Sequence, residues 1–118
     1  MNERLLRENF QQRYGRAPQV IARAPGRIEF IGNHTDYNGG AVIGAAIDRF
    51  VWVAAAPAAD ASRLRFASGL DGQTIEVPAA NTTKLTGNEA WINYPRGVWR
   101  SLSEFNLPAP AAFDVLVG

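Results

Sequence analysis

The chain is 118 residues long, contains no cysteine, and carries 12 basic against 11 acidic side chains, for a net charge of +1. This length suits one small domain, and the near-neutral charge, without a basic block or an acidic tail, disfavours nucleic acid and anionic membranes as partners. The lack of cysteine excludes a disulfide framework and a thiolate nucleophile, and since no stretch approaches the roughly 18 apolar residues of a membrane span, we expect a cytoplasmic protein.

The first half of the chain predicts one helix followed by strand segments. Apolar residues recur every four positions over residues 3–14, which predicts an amphipathic helix there. Residues 19–23 form a short strand-like run that leads into a glycine-rich segment, residues 25–40. The apolar runs 41–47 and 50–56 then predict two separate buried strands.

The second half predicts a hairpin, a helix and a final strand. Apolar and polar residues alternate over 63–66 and again over 74–77, which is typical of a hairpin with one solvated face. Apolar steps of three or four predict a second helix from about Asn93 to Asn106, and residues 113–117 a buried strand. We therefore expect an α+β fold with a mixed, largely antiparallel sheet and both helices on one side of it.

The segment from Pro25 to Gly40 concentrates the polar chemistry of the chain. Arg27 offers a planar fork of donors for phosphate or carboxylate and a constant positive charge. The carboxylate of Asp36 can accept from two hydroxyls, whereas Asn33 and His34 can each donate and accept. These groups suit a ligand with several hydroxyls, so we expect a sugar rather than an apolar substrate.

The same segment also has a purely structural interpretation. Residues 36–40 are what a tight turn between two apolar strands requires, with an Asn-Gly pair to supply positive φ. Arg27 beside Glu29 can form a plain ion pair, and a lone His34 is more often a structural donor than a catalyst. Without cysteine or a second histidine, we expect no metal site in the chain.

Two motifs carry a resemblance to a known family. The run GRIEFIGNHTDY, residues 26–37, closely resembles the galactokinase signature Gly-Arg-x-Asn-Leu-Ile-Gly-Glu-His-x-Asp-Tyr of the GHMP small-molecule kinases. The run WINYPRGV, residues 91–98, resembles the Trp-x-Asn-Tyr-x-x-Gly-Val helix of that family. The resemblance covers about residues 20–118, and a motif of this length rarely arises by chance. It implies that residues 1–118 are the N-terminal sugar-recognition part of a truncated galactokinase-like domain, without the phosphate loop and the C-terminal domain.

The resemblance also implies roles for single residues. Arg27 matches the residue beside the transferred phosphoryl group, where a fixed cation stabilises the transition state. The positions that hydrogen-bond the sugar are matched by Asn33, His34 and Asp36. The aromatic residues that border the adenine pocket are matched, more weakly, by Trp91 and Tyr94. ATP and Mg²⁺ are implied as cofactors, while the phosphate loop, the metal ligand and the catalytic base would lie outside this sequence.

Two departures from the signature bear on the substrate. Glu29 stands where the family usually has Asn, and Asn33 stands where it usually has an acid, so a carboxylate has in effect moved. The implied reaction is transfer of the ATP γ-phosphoryl group to the anomeric hydroxyl of galactose or a related sugar, with this segment alone inactive. The alternatives are a non-catalytic sugar and nucleotide sensor related to galactokinase, or a structural domain in which the glycine-rich segment is only a turn.

Overall fold

The structure is a computed structural model that describes residues 1–32 and 34–118, so Asn33, one of the predicted sugar ligands, lies outside the described residues. The described residues form two α-helices, α1 (Glu3–Tyr14) and α2 (Asn93–Glu104). Short 3-10 helices span Asp36–Asn38 and Gly87–Ile92. The strands are β1 (Val20–Ile31), β2 (Ile43–Pro57), β3 (Arg63–Ser68), β4 (Thr74–Pro78) and β5 (Phe113–Val117). None of the described helices is long and apolar enough to cross a membrane.

The strands form one sheet in the order β1-β2-β5-β3-β4. All neighbouring strands are antiparallel except β3 and β5, which are parallel. The last strand in sequence, β5, is therefore the middle strand, and it joins the β1–β2 hairpin to the β3–β4 hairpin. The predicted α+β class with a mixed, largely antiparallel sheet is confirmed.

Helix α1 has the limits that its sequence predicts. The side chain of Asn2 caps the first turn by accepting a hydrogen bond from the backbone N–H of Leu5 at 2.9 Å. Gly15 ends the helix in the left-handed conformation, with φ of 71°. The apolar stripe buries Leu6 and Phe10 completely, which anchors the helix to the sheet.

The two helices lie on opposite faces of the sheet, so the predicted placement of both on one side is corrected. Alternation along β5 sends Val115 into a cluster with Phe66 and Ile92 on the α2 side. It sends Leu116 into a second cluster with Phe10 of α1 on the other side. Both faces of the central strands are thus covered, one by α1 and the other by the 3-10 helix Gly87–Ile92 together with α2.

Helix α2 begins at Asn93, as Pro95 in its first turn predicts. The side chain of Asn93 does not cap the helix. It pairs with the backbone of Leu85, accepting from its N–H at 3.0 Å and donating to its carbonyl at 2.8 Å. The helix ends at Glu104, two residues before the predicted end, and Asn106 has a positive φ of 54°.

The strands of the first half are longer than their sequences predict. Strand β1 continues into the glycine-rich segment as far as Ile31, because residues 27–31 pair with residues 43–46. Strand β2 is also continuous, and the predicted break at Asp48 and Arg49 appears instead as a register irregularity opposite Gly26. Backbone pairing, which the side-chain pattern does not report, carries both strands across these positions.

Part of the β1–β2 hairpin extends beyond the rest of the sheet. Strand β5 pairs with β2 only along Val53–Pro57, with a further backbone contact between Gly118 and Trp52. We call the two-stranded remainder, residues 24–51, the hairpin arm. Several of its large apolar side chains are exposed: Ile28, Phe30, Ile31, Val42, Ile43, Phe50 and Val51. The predicted sugar residues lie in this arm.

Candidate functional site

The candidate site begins on the strands of the hairpin arm. Arg27 and Glu29 are two residues apart on β1, so their side chains share one face. Their cross-strand partners on β2 are Ala46 and Gly44, which have small side chains or none. This face of the arm therefore leaves room for a ligand beside a guanidinium and a carboxylate.

The end of the arm is a compact turn closed by backbone hydrogen bonds. The carbonyl of Gly32 accepts from the N–H groups of Thr35 at 3.1 Å and Asp36 at 3.0 Å. The carbonyl of Thr35 accepts from the N–H groups of Asn38 at 3.1 Å and Gly40 at 2.7 Å. These bonds hold Thr35 and Asp36 against Gly32, with Asp36 at the start of its short 3-10 helix.

Two glycines are required by the geometry of this turn. Gly32 has a φ of 115°, and a Cβ atom added to it would lie 2.5 Å from Cγ1 of Val42. Gly40 approaches Thr35 so closely that a Cβ would lie 2.5 Å from the Cβ of that residue. Larger side chains at either position would push the two ends of the turn apart.

Side chains within the turn hold His34 in place. Its Nδ1 lies 3.1 Å from the hydroxyl of Tyr37, and its backbone carbonyl accepts from Nδ2 of Asn38 at 2.9 Å. The hydroxyl of Thr35 donates to the carbonyl of Ala41 at 3.2 Å, which ties the turn to the segment that leads into β2. The sequence predicts a turn at residues 36–40 but not the support of His34 by Tyr37 and Asn38, although the spacing of three residues between His34 and Tyr37 is a signal for such a contact.

Two of the groups predicted to bind ligand, Arg27 and Asp36, have side chains without a protein partner within the described residues, and so does the neighbouring Glu29. The ion pairs and side-chain hydrogen bonds there leave out the side chains of Arg27, Glu29 and Asp36. The suggested Arg27–Glu29 ion pair is therefore not formed. Four strand residues separate Arg27 from Gly32, where the turn begins, and these five steps span about 16 Å at roughly 3.3 Å per residue, so Arg27 and the turn are not in contact along β1. The site is extended, with a cation on the strand and acceptors at the turn.

The two aromatic residues predicted near adenine have different environments. Trp91 is partly buried, and its indole N–H donates to Oε1 of Gln73 at 3.2 Å. It lines an apolar cavity of about 500 Å³ together with Leu70 and with Phe50 at the base of the arm. Tyr94 is 81% exposed and does not line this cavity. The structure therefore places only Trp91 beside a recess that could hold a planar ring.

The chain offers few groups for phosphate or metal in this region. Residues 1–32 and 34–118 contain no group of three or more His, Asp or Glu residues that could hold a metal ion. The sequence contains no glycine- and serine-rich loop of the kind that cradles phosphates. The candidate site is therefore equipped for hydroxyl groups and for one anionic group near Arg27.

Sequence comparisons connect the hairpin arm with sugar recognition in known proteins. A family model described as the galactokinase galactose-binding signature matches residues 8–57, which include the whole arm. A galactokinase of a Roseiflexus species is 48% identical over 94 residues, covering 79% of this chain and 23% of that protein. A galactokinase of Streptococcus thermophilus is 35% identical over 118 residues, covering 99% of this chain and 30% of that protein. The chain thus spans less than a third of the length of these relatives.

Structural comparison gives the same relationship. The Lactococcus lactis galactokinase, solved in complex with galactose, matches 97% of this chain and 30% of its own with a TM-score of 0.74 and 28% identity. The Methanococcus jannaschii mevalonate kinase matches 84% of this chain and 32% of its own with a TM-score of 0.56 and 15% identity, which supports the fold alone. From its signature, its sequence relatives and its fold, the chain belongs to the galactokinase branch of the GHMP small-molecule kinases.

Proposed function

We propose that this chain is the sugar-recognition part, residues 1–118, of a kinase that transfers the γ-phosphoryl group of ATP to the anomeric hydroxyl of galactose or a closely related sugar. The observation that carries the proposal is the turn at the end of the hairpin arm. It holds His34 and Asp36 in a backbone geometry that Gly32 and Gly40 make possible, and it lies inside the match to the galactose-binding signature.

In this proposal the turn recognises the hydroxyls of the sugar. The carboxylate of Asp36 accepts from two neighbouring hydroxyls, and the imidazole of His34, held through Nδ1 by Tyr37, presents its other nitrogen to the ligand. Asn33, which matches a sugar-binding position of the family, contributes its amide. Buried hydroxyls without partners are costly, so a turn that supplies several partners favours a sugar over a less polar ligand.

Arg27 would act on the phosphoryl group rather than on the sugar ring. ATP supplies the group that is transferred, and its equatorial oxygens carry charge that a fixed cation stabilises in the transition state. Within the described residues the guanidinium of Arg27 is not committed to an ion pair, so its charge is available for this task. Its position on a paired strand limits the motion of its backbone.

Glu29 lies on the same strand face as Arg27 and has Gly44 as its cross-strand partner. We propose that its carboxylate replaces the acid that the family usually has at the position of Asn33. An acid that approaches from the strand rather than from the turn would contact a different part of the sugar. The natural substrate is therefore a galactose-like sugar whose substituents fit both Glu29 and an amide at position 33.

Binding of ATP and Mg²⁺ would depend mostly on groups outside this sequence. Trp91, in its apolar recess, fits the edge of an adenine ring, and the exposed Tyr94 could contact the nucleotide from the side of α2. Neither residue binds phosphate. The segment alone would therefore hold a sugar weakly and ATP more weakly still.

Substitution of Asp36→Asn tests the sugar site. The substitution is made in the longest natural polypeptide that contains this sequence, and calorimetry measures its affinity for galactose. We expect this affinity to fall by about tenfold to a hundredfold, because a charged acceptor is lost. Asp60→Asn is the matched control, since Asp60 lies in an exposed turn beyond the other end of β2, where Asn can also accept from the Ser62 N–H. Equal affinities in both variants would contradict the proposed role of the turn.

Substitution of Arg27→Ala separates chemistry from binding. We expect kcat to fall by about a thousandfold while the affinity for the sugar changes little, because the cation acts on the phosphoryl group. The substrate is identified by ATP-dependent phosphorylation across hexoses, pentoses, amino sugars and uronic acids. Failure to phosphorylate any of them would overturn the proposed reaction, and retained sugar binding in that case would indicate a sensor.

A further inference from the structure

A small cavity of about 130 Å³ lies between helix α2 and the segment before it, away from the hairpin arm. Its walls include the side chains of Thr83, Lys84, Arg96 and Arg100. The volume is well above the roughly 15 Å³ that one water molecule requires, so the cavity has room for a polyatomic ion. None of its lining residues belongs to the segment 25–40 that carries the proposed sugar site.

The cavity gathers three positive charges without an opposing one. Arg96 and Arg100, one turn apart on α2, each donate from Nη2 to the same backbone carbonyl, that of Asn81, at 2.5 Å. Lys84 also lines the cavity. The lining contains no acidic residue, and none of the ion pairs among the described residues involves these three cations.

One donor in this cluster is buried without a partner. Arg96 is only 4% exposed, and its two Nη groups donate to the carbonyls of Thr83 and Asn81. Its Nε is buried and makes no hydrogen bond among the described residues. An unsatisfied buried donor on a charged group is costly, and such groups are normally paired with an acceptor or an ion. Arg96 therefore lines the cavity with one buried donor that the described residues do not satisfy.

The electrostatics of the cluster favour the same conclusion. Burial, and then the neighbouring charge of Arg100, lower the pKa of the Arg96 guanidinium from its ordinary value. Both causes reflect a positive charge in a site that lacks a compensating negative one. A bound anion would offset this repulsion, and the guanidinium donors of Arg100 other than Nη2 are free to bind the oxygens of phosphate or sulfate.

We propose that the cavity between α2 and residues 82–84 binds a tetrahedral oxyanion, either inorganic phosphate or the phosphate group of a small phosphorylated molecule. The free donors of Arg100 and Lys84 and the hydroxyls of Thr82 and Thr83 complete the set of hydrogen-bond donors around it. The site is separate from the proposed sugar chemistry and would exist whether or not the chain forms part of an active kinase.

The test observes Arg96 directly. The nitrogen-15 NMR resonance of its Nε–H group is followed while inorganic phosphate is added to the 118-residue chain at constant ionic strength, with chloride as the reference anion. We expect a saturable shift of this resonance with phosphate and none with chloride. No shift with phosphate, or equal shifts with both anions, would overturn the proposal.

Two variants make the result specific to the cavity. In Lys84→Gln/Arg100→Gln the apparent affinity for phosphate should fall by about tenfold or more, because two charged donors are lost. Arg96 keeps its own contacts with Asn81 and Thr83 in this variant, so the loop retains an anchor. The single variant Lys84→Gln removes no hydrogen bond among the described residues, so it leaves the loop in place. Its apparent affinity for phosphate should fall by less than that of the double variant.

The matched control is Arg4→Gln/Arg7→Gln, which removes two exposed arginines from α1. Phosphate stabilises proteins in general by exclusion from their surface, so its effect on the melting temperature has a common part in every variant. The control should keep the full phosphate-dependent rise in melting temperature. The Lys84→Gln/Arg100→Gln variant should keep only the part of that rise that comes from exclusion of phosphate from the surface. Equal rises in the two variants would contradict a specific site.

The source of the anion follows from two further titrations. A hexose 1-phosphate that binds more tightly than inorganic phosphate would assign the site to a phosphorylated metabolite. Equal affinities would assign it to the free ion. Both outcomes support an oxyanion site, whereas displacement of neither anion by the other would show that they bind at different places and would contradict the shared site.

Discussion

The body of the sheet and the hairpin arm differ in how fully their strands are packed. In the body, strand β5 has a neighbour on each edge and a hydrophobic cluster on each face, and residues such as Phe66 and Leu116 are fully buried. In the arm, two strands have only each other, and most of their apolar side chains are exposed. The comparison shows that this chain separates the part that supplies stability from the part that carries the candidate sugar site.

A ring deletion in each region gives the largest expected contrast. Phe66→Ala removes a fully buried ring that packs edge-on against Trp91 and Phe113, and we expect a loss of about 4 kcal/mol in the free energy of unfolding. Phe30→Ala removes a ring that is 66% exposed, and the loss should stay below about 0.5 kcal/mol. Urea denaturation measures both. A loss in the free energy of unfolding for Phe30→Ala comparable to that for Phe66→Ala would show that the side chains of the arm are packed as those of the body are.

Removal of a buried charge has the next largest expected effect on the free energy of unfolding. The carboxylate of Asp114 is fully buried, lies 2.6 Å from both Nε and Nη2 of Arg65, and also accepts from Arg16. We expect Asp114→Ala to cost about 3 kcal/mol, the lower end for a broken buried pair, because both arginines are about one-third exposed and can be hydrated.

The matched control for that change is Glu76→Ala, which removes the partner of Arg63 at the surface. An exposed pair of this kind contributes about 1 kcal/mol or less. Urea denaturation measures the free energy of unfolding of both variants. Equal losses in Asp114→Ala and Glu76→Ala would contradict the assigned role of Asp114.

A change in the turn of the arm should act locally. Gly32→Ala places a methyl group against Val42 at a φ of 115°, and we expect the turn to lose about 2 kcal/mol of local stability. Amide exchange of Asp36 and Gly40 should then accelerate by about thirtyfold while the amides of β5 are unaffected. Faster exchange in both regions would show that arm and body unfold as one unit.

Gly39→Ala is the control for the turn. Gly39 also has a positive φ, 75°, but a Cβ there would meet no atom within 4 Å. Its cost should be limited to the left-handed conformation, about 1 kcal/mol. A larger loss of local stability in Gly39→Ala than in Gly32→Ala would contradict the clash with Val42 as the cause of the loss at Gly32.

The smallest expected effect is a pH dependence of the body. Burial, and then the charge of Asp114, raise the pKa of Tyr14 above its ordinary value, and its hydroxyl donates to the carbonyl of Val115 at 2.8 Å. The folded chain therefore keeps this proton at pH values where the unfolded chain has released it. The contribution of Tyr14 is complete below about pH 10 and is lost as the pH rises above that value.

Tyr14→Phe should lower the free energy of unfolding by about 1 kcal/mol at pH 8 through the lost hydrogen bond. Because Phe does not titrate, the difference between the two proteins should shrink as the pH is raised from 9 to 11. Urea denaturation over this range measures it. A difference that is constant with pH would show that the hydroxyl of Tyr14 is not held by its buried environment.

Local signals in the sequence were sufficient for elements that depend on neighbouring residues. The Asn2 cap, the apolar stripe and Gly15 fixed both ends of α1, and alternation fixed the β3–β4 hairpin. The side-chain chemistry of residues 25–40, and then the family resemblance, pointed to Arg27, His34 and Asp36 as site residues, and their roles remain proposals. Their positions at a strand and a turn follow from the structure.

Long-range features could not be predicted in the same way. Glycines and charges made residues 25–31 look like a loop, but pairing with β2 keeps them in a strand. The parallel contact between β3 and β5 joins residues far apart in sequence, and it decides which face each helix covers. Asp114 looked like one polar residue in an apolar run, because its partners Arg16 and Arg65 come from other elements.

The central position of β5 also sets an order for folding during synthesis. The β1–β2 and β3–β4 hairpins are local in sequence and can pair as soon as they leave the ribosome. They cannot join into one sheet until Phe113–Val117 has emerged to lie between them. Until then, the edges of β2 and β3 stay unpaired, which is the condition under which nascent chains aggregate. This chain therefore needs protection longest at the two strand edges that β5 finally closes.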